Sequence, residues 1–310
     1  MPDALPKFCA KCFEGTLRGD VEPAGSVETI HGLPTYVARP APPAEPVGIV
    51  VIAPDAFGWE FRNMRALADA YAQRIPAVVL LPDLMQATRR IAAHPPPHRQ
   101  RLPLEILALS DEIASQSTSF LRRTFILQPK RIVLTAIHYL PFLTSLRPSA
   151  ITSRLGAYLA NLKSQPPPPL PAQANIGLAG FCWGGKYALL LSHPFSSPSI
   201  GANLVDASFT AHPSLVSVPA DLSPVVVPLS LAIGTTDEWM SASDIQECRR
   251  LLEARSDCEV RLYEGATHGF AVRGNPHDEK QARFGLQAED QAVAWFRQHL
   301  GPELVARRPE

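Results

Sequence analysis

A cysteine set among glycines is the part of this sequence with the clearest chemistry. Residues 180–185 read Gly-Phe-Cys-Trp-Gly-Gly, after an apolar run and before a helical pattern. This is the pattern of a nucleophile elbow, with Cys182 in place of the usual serine. Glycine at both flanks removes side chains that would collide with backbone at such a turn. A thiol there lies at a helix N-terminus, whose dipole favours the thiolate. We predict a nucleophile; a small buried residue in a tight turn is the alternative.

Two groups that would activate such a thiol follow further along the chain. Asp237 comes just after the apolar run 227–234, and His268 comes after the shorter run 260–263. An acid and then a histidine, each after a later strand, is the order that an elbow predicts. We expect His268 to take the thiol proton of Cys182 and Asp237 to fix the histidine tautomer. Taken singly, the aspartate could be a turn or helix N-cap residue, and the histidine a loop residue without a role.

The end of the first apolar run adds a further group of candidates. Asp55 follows residues 47–53, so it should open onto the same edge of the sheet as Cys182. The backbone N–H groups of Ala56 and Trp183 are candidate donors to an oxyanion. The alternative for Asp55 is that it caps the helix that follows.

Short apolar runs alternate with helical patterns along the chain. The predicted buried strands are 47–53, 77–81, 176–180 and 227–234, and 260–263 is a shorter candidate strand. The predicted helices include 61–74, 186–193, 243–254 and 288–299. This alternation predicts an α/β protein with a mostly parallel central sheet and helices on both faces. In such sheets functional side chains lie beyond the carboxyl ends of the strands. Together with the elbow, the pattern predicts an α/β-hydrolase fold.

Length and proline content suggest one decorated domain. We predict a single domain over residues 1–310, with an N-terminal extension 1–46 and a helical insertion or lid within 98–165. Proline-rich stretches punctuate the chain, but the segments between them are too incomplete to fold alone. Four basic residues between 122 and 131 form a local cluster, which we expect to be a solvated face.

Composition limits the partners. The 29 basic and 29 acidic residues cancel, so neither nucleic acid nor a membrane surface is a predicted partner. Five unevenly spaced cysteines in a chain of 310 residues argue against a disulfide scaffold. No secretory signal or long apolar span is recognised, so we expect a cytoplasmic protein.

One Cys-x-x-Cys pair, Cys9 and Cys12, lies near the start of the sequence. A structural zinc site needs four ligands, and no second pair is nearby. Thiol redox chemistry of this pair would require a different strand–helix setting. We therefore predict no metal and no other cofactor.

Taken together, these residues resemble the dienelactone hydrolase family, particularly its fungal-type branch. The motifs that carry the resemblance are Cys9-Ala-Lys-Cys12, Asp55-Ala-Phe-Gly-Trp59, the cysteine elbow, Ala211-His212-Pro213-Ser214 and His268-Gly-Phe-Ala-Val-Arg273. The resemblance implies cofactor-free hydrolysis of a small activated ester or lactone through an acyl-cysteine. It also permits a place in secondary metabolism, and it allows a homodimer.

The resemblance also implies roles for other residues. Asp55 matches a family acid that helps to activate the thiol, a position where the best-known members carry glutamate. Arg273 matches an arginine that binds the substrate carboxylate, and His212 matches a histidine near the pocket, or else is a loop residue without a role. Trp59 and Trp183 flank the two candidate oxyanion donors, so they could wall a planar substrate or simply pack in the core.

Three other functions stay open at this point. Acyl transfer or lactone-forming cyclisation would use the same groups with a different acceptor. A ligand-binding protein without turnover could share the fold, although a complete Cys–His–Asp set counts against it. A redox sensor built on Cys182 would need a resolving partner, for which Cys248 and Cys258 are the candidates.

Overall fold

The computed structural model describes residues 22–85, 119–134, 148–172, 174–194, 203–273 and 279–301, with isolated positions between 105 and 113. The Cys9 and Cys12 pair, residues 1–21 of the predicted extension and much of the predicted insertion 98–165 lie outside the described residues. What the sequence predicts for those parts stays a prediction.

Eight strands in the described parts of the chain form one sheet. In chain order they are β1 Ser26–Ile30, β2 Leu33–Ala38, β3 Gly48–Ala53, β4 Ala77–Pro82, β5 Asn175–Phe181, β6 Ala207–Ala211, β7 Leu229–Gly234 and β8 Cys258–Tyr263. Their spatial order is β1-β2-β4-β3-β5-β6-β7-β8. Strand β2 pairs antiparallel with β1 and β4, and all other pairs are parallel. The prediction of a mostly parallel sheet is confirmed.

Three strands have no counterpart among the predicted apolar runs. β1 and β2 are antiparallel at one edge, and β1 is largely exposed, with Glu28 and Thr29 in its sequence. β6 is buried throughout, but it places Ser208 and Thr210 between small and aromatic residues. A search for continuous apolar runs misses these strands because polar residues interrupt them.

Five helices of eight or more residues in the described parts of the chain accompany the sheet. They are α1 Arg62–Arg74, α2 Pro148–Ser164, α3 Trp183–Leu190, α4 Ala242–Leu252 and α5 Glu279–Leu300. α3 begins three residues before the predicted start at 186 because Cys182 itself occupies its N-cap. α4 begins at a capping box in which Ser241 and Asp244 bond each other's backbone N–H groups.

The helices cover both faces of the sheet. Gly177 and Gly180 lie three residues apart on β5, so they point to opposite faces. A Cβ at Gly177 would meet the Phe296 ring of α5 at 2.6 Å, and one at Gly180 would meet Ala188 of α3 at 2.6 Å. α5 and α3 therefore pack closely on opposite sides of the central strand, as predicted.

Residues 119–134 form a helical segment that includes a π-helical stretch, Arg123–Leu127. Leu127 packs against Leu109 and Ile113, whereas Phe120 and Phe125 face solvent. The basic cluster is only partly solvated, since its members at 122 and 130 are exposed and those at 123 and 131 are half-buried. Within the described residues, no helix combines the length and apolarity that crossing a bilayer requires.

The contact between α3 and β3 leaves no room for a side chain at Gly184. A Cβ there would overlap the carbonyl group of Ala53. The Gly184 N–H also donates to the Pro54 carbonyl oxygen at 3.1 Å, so the helix cannot easily withdraw. The sequence-based expectation that this position requires glycine is confirmed.

We predict that Gly184→Ala destabilises the protein by about 1–3 kcal/mol, because backbone must move to accept the methyl group. Gly156→Ala is the matched control. Gly156 lies in the interior of α2, and a Cβ there would meet its nearest side chains at 3.7 Å, an ordinary contact. That control should raise stability by up to about 1 kcal/mol, the helix preference of alanine over glycine. Urea unfolding measures both; equal effects would contradict the packing argument.

Candidate active site

Cys182 lies at the junction of β5 and α3 in a backbone conformation with positive φ, with φ 52° and ψ −116°. Its N–H donates to the Ala211 carbonyl oxygen at 3.2 Å. Its carbonyl oxygen accepts the N–H groups of Gly185 and Ser214, both at 3.0 Å. The residue is 3% exposed. Hydrogen bonds on both sides therefore hold a conformation that non-glycine residues rarely adopt.

The structure brings the three predicted triad residues together. His268 Nε2 lies 3.1 Å from Cys182 Sγ, although the two residues are 86 positions apart. His268 Nδ1 lies 2.9 Å and 3.0 Å from the two carboxylate oxygens of Asp237. Both the histidine and aspartate side chains are fully buried. The thiol, the imidazole and the carboxylate thus form one continuous hydrogen-bonded relay.

The aspartate is itself held in place. Asp237 follows β7, and its Oδ1 also accepts the N–H of Trp239 at 2.9 Å. The Trp239 ring lies 6.1 Å from the His268 ring, centroid to centroid. Asp237 therefore bonds the backbone of its own turn, as considered from the sequence, and contacts the histidine as well.

The surroundings of His268 favour its charged form. Burial lowers its pKa, but the charge of Cys182 and the hydrogen bond with Asp237 outweigh burial and raise the pKa to about 10. A negative charge on Cys182 and a positive charge on His268 would thus stabilise each other.

Asp55 lies close to the same charges, but one of its carboxyl oxygens lacks a hydrogen-bond partner among the described residues. It is buried, its Oδ1 accepts the Phe57 N–H at 3.0 Å, and its Oδ2 has no hydrogen-bond partner within the described parts of the chain. Burial raises its pKa to about 7 against the opposing charge of Arg273, and the charge of Cys182 raises it further. The alternative that Asp55 caps the next helix is wrong, because Phe61 occupies that cap without a side-chain bond.

Arg273 brings a buried cation to this site. Its guanidinium is folded over Gly269, and its carbon atom Cζ lies 5.4 Å from the centroid of the Phe57 ring. The residue is 4% exposed, and none of its three side-chain nitrogens has a hydrogen-bond partner among the residues that the structure describes. A guanidinium in this state is ready to receive an anion.

His212 is not a solvent-exposed loop residue. It directly follows β6 with φ 40°, it is fully buried, and its ring meets the His268 ring edge-on at 5.1 Å. Neither ring nitrogen has a partner in the described parts of the chain. Burial holds its pKa well below the usual range, and the charges of His268 and Arg273 lower it further. It therefore stays neutral beside the charged histidine.

The two candidate oxyanion donors belong to different elements. Trp183 is the first residue of α3, and Ala56 stands next to Asp55 in the loop after β3. The Trp183 ring packs against Tyr187 at 4.7 Å and belongs to the buried core. Trp59 is only half-buried, with the Arg65 guanidinium over its ring at 4.9 Å.

Sequence reasoning assigned no role to two residues that the structure places at the relay. The Trp239 ring lies near that of His268, as described above. Ser214 Oγ lies 3.7 Å from Cys182 Sγ, within the range of a hydrogen bond to sulfur. Ser214 belongs to a motif that the sequence singled out, but only the path of the loop after β6 reveals its contact.

The redox alternative finds no support in the cysteines that the structure describes. Cys248 is fully buried in a separate apolar cluster, and burial raises its pKa to about 12. Cys258 sits at the start of β8, where burial also raises its pKa. Thiols in this state react slowly.

Comparison with known proteins identifies relatives of this chain. The model of the dienelactone hydrolase family matches residues 33–300. Hydrolase pyvD of Aspergillus violaceofuscus is 24% identical over 302 residues, covering 97% of this chain and 99% of the relative. Dienlactone hydrolase 1 of Gibberella moniliformis is 42% identical over 59 residues, 18% of this chain and 22% of the relative.

A solved structure shows the same fold. The crystal structure of a putative dienelactone hydrolase from Klebsiella pneumoniae superposes with a TM-score of 0.58 at 19% identity, over 89% of this chain and 98% of that one. The architecture is therefore that of an α/β hydrolase, as predicted. Since the family model spans most of the sequence, this chain belongs to the dienelactone hydrolase family.

Proposed function

We propose that this hydrolase cleaves a small ester, lactone or thioester through an acyl-cysteine intermediate on Cys182. The observation that carries the proposal is the buried relay from Sγ through the imidazole of His268 to the carboxylate of Asp237, with contacts of 3.1 Å and 2.9 Å. Family membership supports the reaction class, and the relay supports the choice of nucleophile.

In the first half of the proposed reaction, the thiolate attacks the substrate carbonyl carbon, and an S–C bond forms. Negative charge develops on the carbonyl oxygen, where the N–H groups of Ala56 and Trp183 are the proposed donors. The tetrahedral species then collapses, the bond to the leaving oxygen or sulfur breaks, and His268 gives its proton to that atom. The acyl group stays on Cys182 as a thioester.

Water completes the cycle. His268, now neutral, accepts a proton from a water molecule as the water attacks the thioester carbonyl. The S–C bond breaks, the carboxylic acid leaves and the thiolate–imidazolium pair is restored. Asp237 holds the imidazole with Nε2 toward the sulfur during both halves, and its charge stabilises the imidazolium.

Asp55 has a proposed part in setting the charge of the nucleophile. The pKa of this buried carboxyl lies at about 7, and the charge of Cys182 is one of the causes. A charged Asp55 and a thiolate therefore disfavour each other. The thiolate is favoured when Asp55 holds its proton, which couples nucleophile activation to the protonation of a neighbouring acid.

Substrate choice is the second element of the proposal. Arg273 is buried beside the relay, and its side-chain nitrogens have no hydrogen-bond partner among the described residues. An ester or lactone that carries a carboxylate would supply the missing acceptor. We therefore propose an anionic group on the acyl part of the preferred substrate.

The relay makes a pH-dependent prediction. Asp237→Asn removes a group that raises the pKa of His268, so the imidazolium should lose its proton at lower pH. Activity on a 4-nitrophenyl ester should fall by about 10²–10⁴-fold. The alkaline limb of its pH profile, expected near pH 10 in the wild type, should move to lower pH.

Glu238→Gln is the matched control for that variant. Glu238 is the neighbouring acid, but it is exposed. This change should leave both rate and profile close to wild type. An Asp237→Asn enzyme with an unchanged alkaline limb would contradict the proposed role of the aspartate.

The anion preference makes a second prediction. Arg273→Gln should lower kcat/KM for a half-ester of a dicarboxylic acid by about 10–100-fold, the value of a hydrogen bond to a charged group. A neutral ester of equal chain length should lose much less. Arg261→Gln, on β8 with its guanidinium over Tyr263, is the control and should change neither. Equal losses on both substrates for Arg273→Gln would mean that the arginine is structural.

A further inference from the structure

The loop that follows β6 is built around the nucleophile. The chain turns sharply after Ala211, with left-handed backbone at His212 and Leu215, whose φ values are 40° and 61°. Ala211 accepts the N–H of Cys182, and Ser214 donates its own N–H to the Cys182 carbonyl oxygen. Two hydrogen bonds therefore clamp the loop to the backbone of the elbow on both sides of the reactive side chain.

This clamp brings one hydroxyl group to the sulfur. Ser214 Oγ lies 3.7 Å from Cys182 Sγ, and the serine is 4% exposed. In the described parts of the chain, the sulfur is the hydrogen-bond partner of this hydroxyl. The hydroxyl and His268 Nε2, at 3.1 Å, are thus two donors available to the same atom.

The backbone of the loop does not require a serine. Both clamping bonds use main-chain atoms, so alanine at 214 would preserve them. Burying a hydroxyl group without a hydrogen bond costs free energy, and the Cys182 sulfur is the acceptor that lies near the Ser214 hydroxyl. A thiolate accepts such a bond more strongly than a neutral thiol does, because the acceptor then carries charge.

We propose that Ser214 is a further catalytic residue, whose hydroxyl donates a hydrogen bond to the Cys182 thiolate and stabilises it in the resting enzyme. The inference rests on the proposed function, since it takes Cys182 as the nucleophile. The thiol proton goes to His268 Nε2, and Ser214 keeps its own proton. When the sulfur becomes acylated it loses its charge, and the hydrogen bond weakens.

The test is the titration of the Cys182 thiolate. Its ultraviolet absorbance is followed against pH, with Cys182→Ala as the blank, and its alkylation by iodoacetamide is followed by peptide mass. The ionisable side chains that surround the sulfur are the same in every Ser214 and Ser208 variant. They are Asp55, Asp237, His268, Arg273 and the neutral His212. A difference between variants therefore reports the hydroxyl.

Ser214→Ala should move the acid limb of thiolate formation upward by about one pH unit, as expected for loss of a hydrogen bond to a charged group. Ser214→Thr keeps the hydroxyl and should restore most of the shift. Ser208→Ala is the matched control, because Ser208 is a fully buried serine on β6 whose hydroxyl accepts from Ser192 at 2.7 Å. It should leave the thiolate titration unchanged.

Three outcomes separate the claims. An unshifted limb in Ser214→Ala, or an equal shift in Ser208→Ala, would overturn the role of the Ser214 hydroxyl while leaving the nucleophile in place. A wild-type enzyme whose thiolate signal does not differ from the Cys182→Ala blank would instead overturn the proposed function. An upward shift in Ser214→Ala alone, with rescue by threonine, would support the inference.

Discussion

Cys182 is held in a backbone conformation with positive φ between β5 and α3, and the geometry of the site depends on this single residue. Such a conformation costs about 1–3 kcal/mol for a residue with a side chain, so the surroundings must enforce it. Here hydrogen bonds with Ala211 and Ser214 do so from one side, and the close packing of Gly184 on Ala53 does so from the other. The result is a sulfur presented at the carboxyl edge of the sheet, where His268 meets it.

Burial then decides the charges. His268 and Asp237 are removed from solvent, and the pKa of His268 stays high there because Cys182 and Asp237 lie against it. The remaining buried groups are not satisfied in this way, since Asp55 Oδ2, both nitrogens of His212 and all three of Arg273 lack partners within the described residues. Within these residues the site therefore keeps unused buried hydrogen-bonding groups, those of Arg273 above all, beside the contact between Cys182 and His268.

Much of this could be predicted from sequence because the signals are local. Continuous apolar runs identified the central parallel strands, and the order of Cys182, Asp237 and His268 along the chain indicated the triad. β6 could not be found this way, because Ser208 and Thr210 interrupt its pattern. The path of the loop after β6 depends on where that strand lies. The contact of Ser214 with the sulfur therefore could not be predicted from the sequence either.

The choice between the alternatives for Asp55, and between those for His212, depends on burial, which is a property of the whole fold. A carboxyl beside a glycine-containing turn reads equally well as a helix cap, and only the packed structure shows that Phe61 takes that position. A histidine after a short strand reads as a loop residue until its ring is seen against that of His268. Long-range packing, rather than residue type, separates these alternatives.

The central claim is that the acyl group passes through the sulfur of Cys182. Its most direct test is the mass of the intact protein, acid-quenched soon after mixing with a panel of small activated esters, for the wild type and Cys182→Ala. Our account predicts a transient gain equal to one acyl group on the wild type, mapped to the peptide that contains Cys182 and absent from the variant. Undiminished turnover by Cys182→Ala, or an acyl group on a different residue of the wild type, would contradict it.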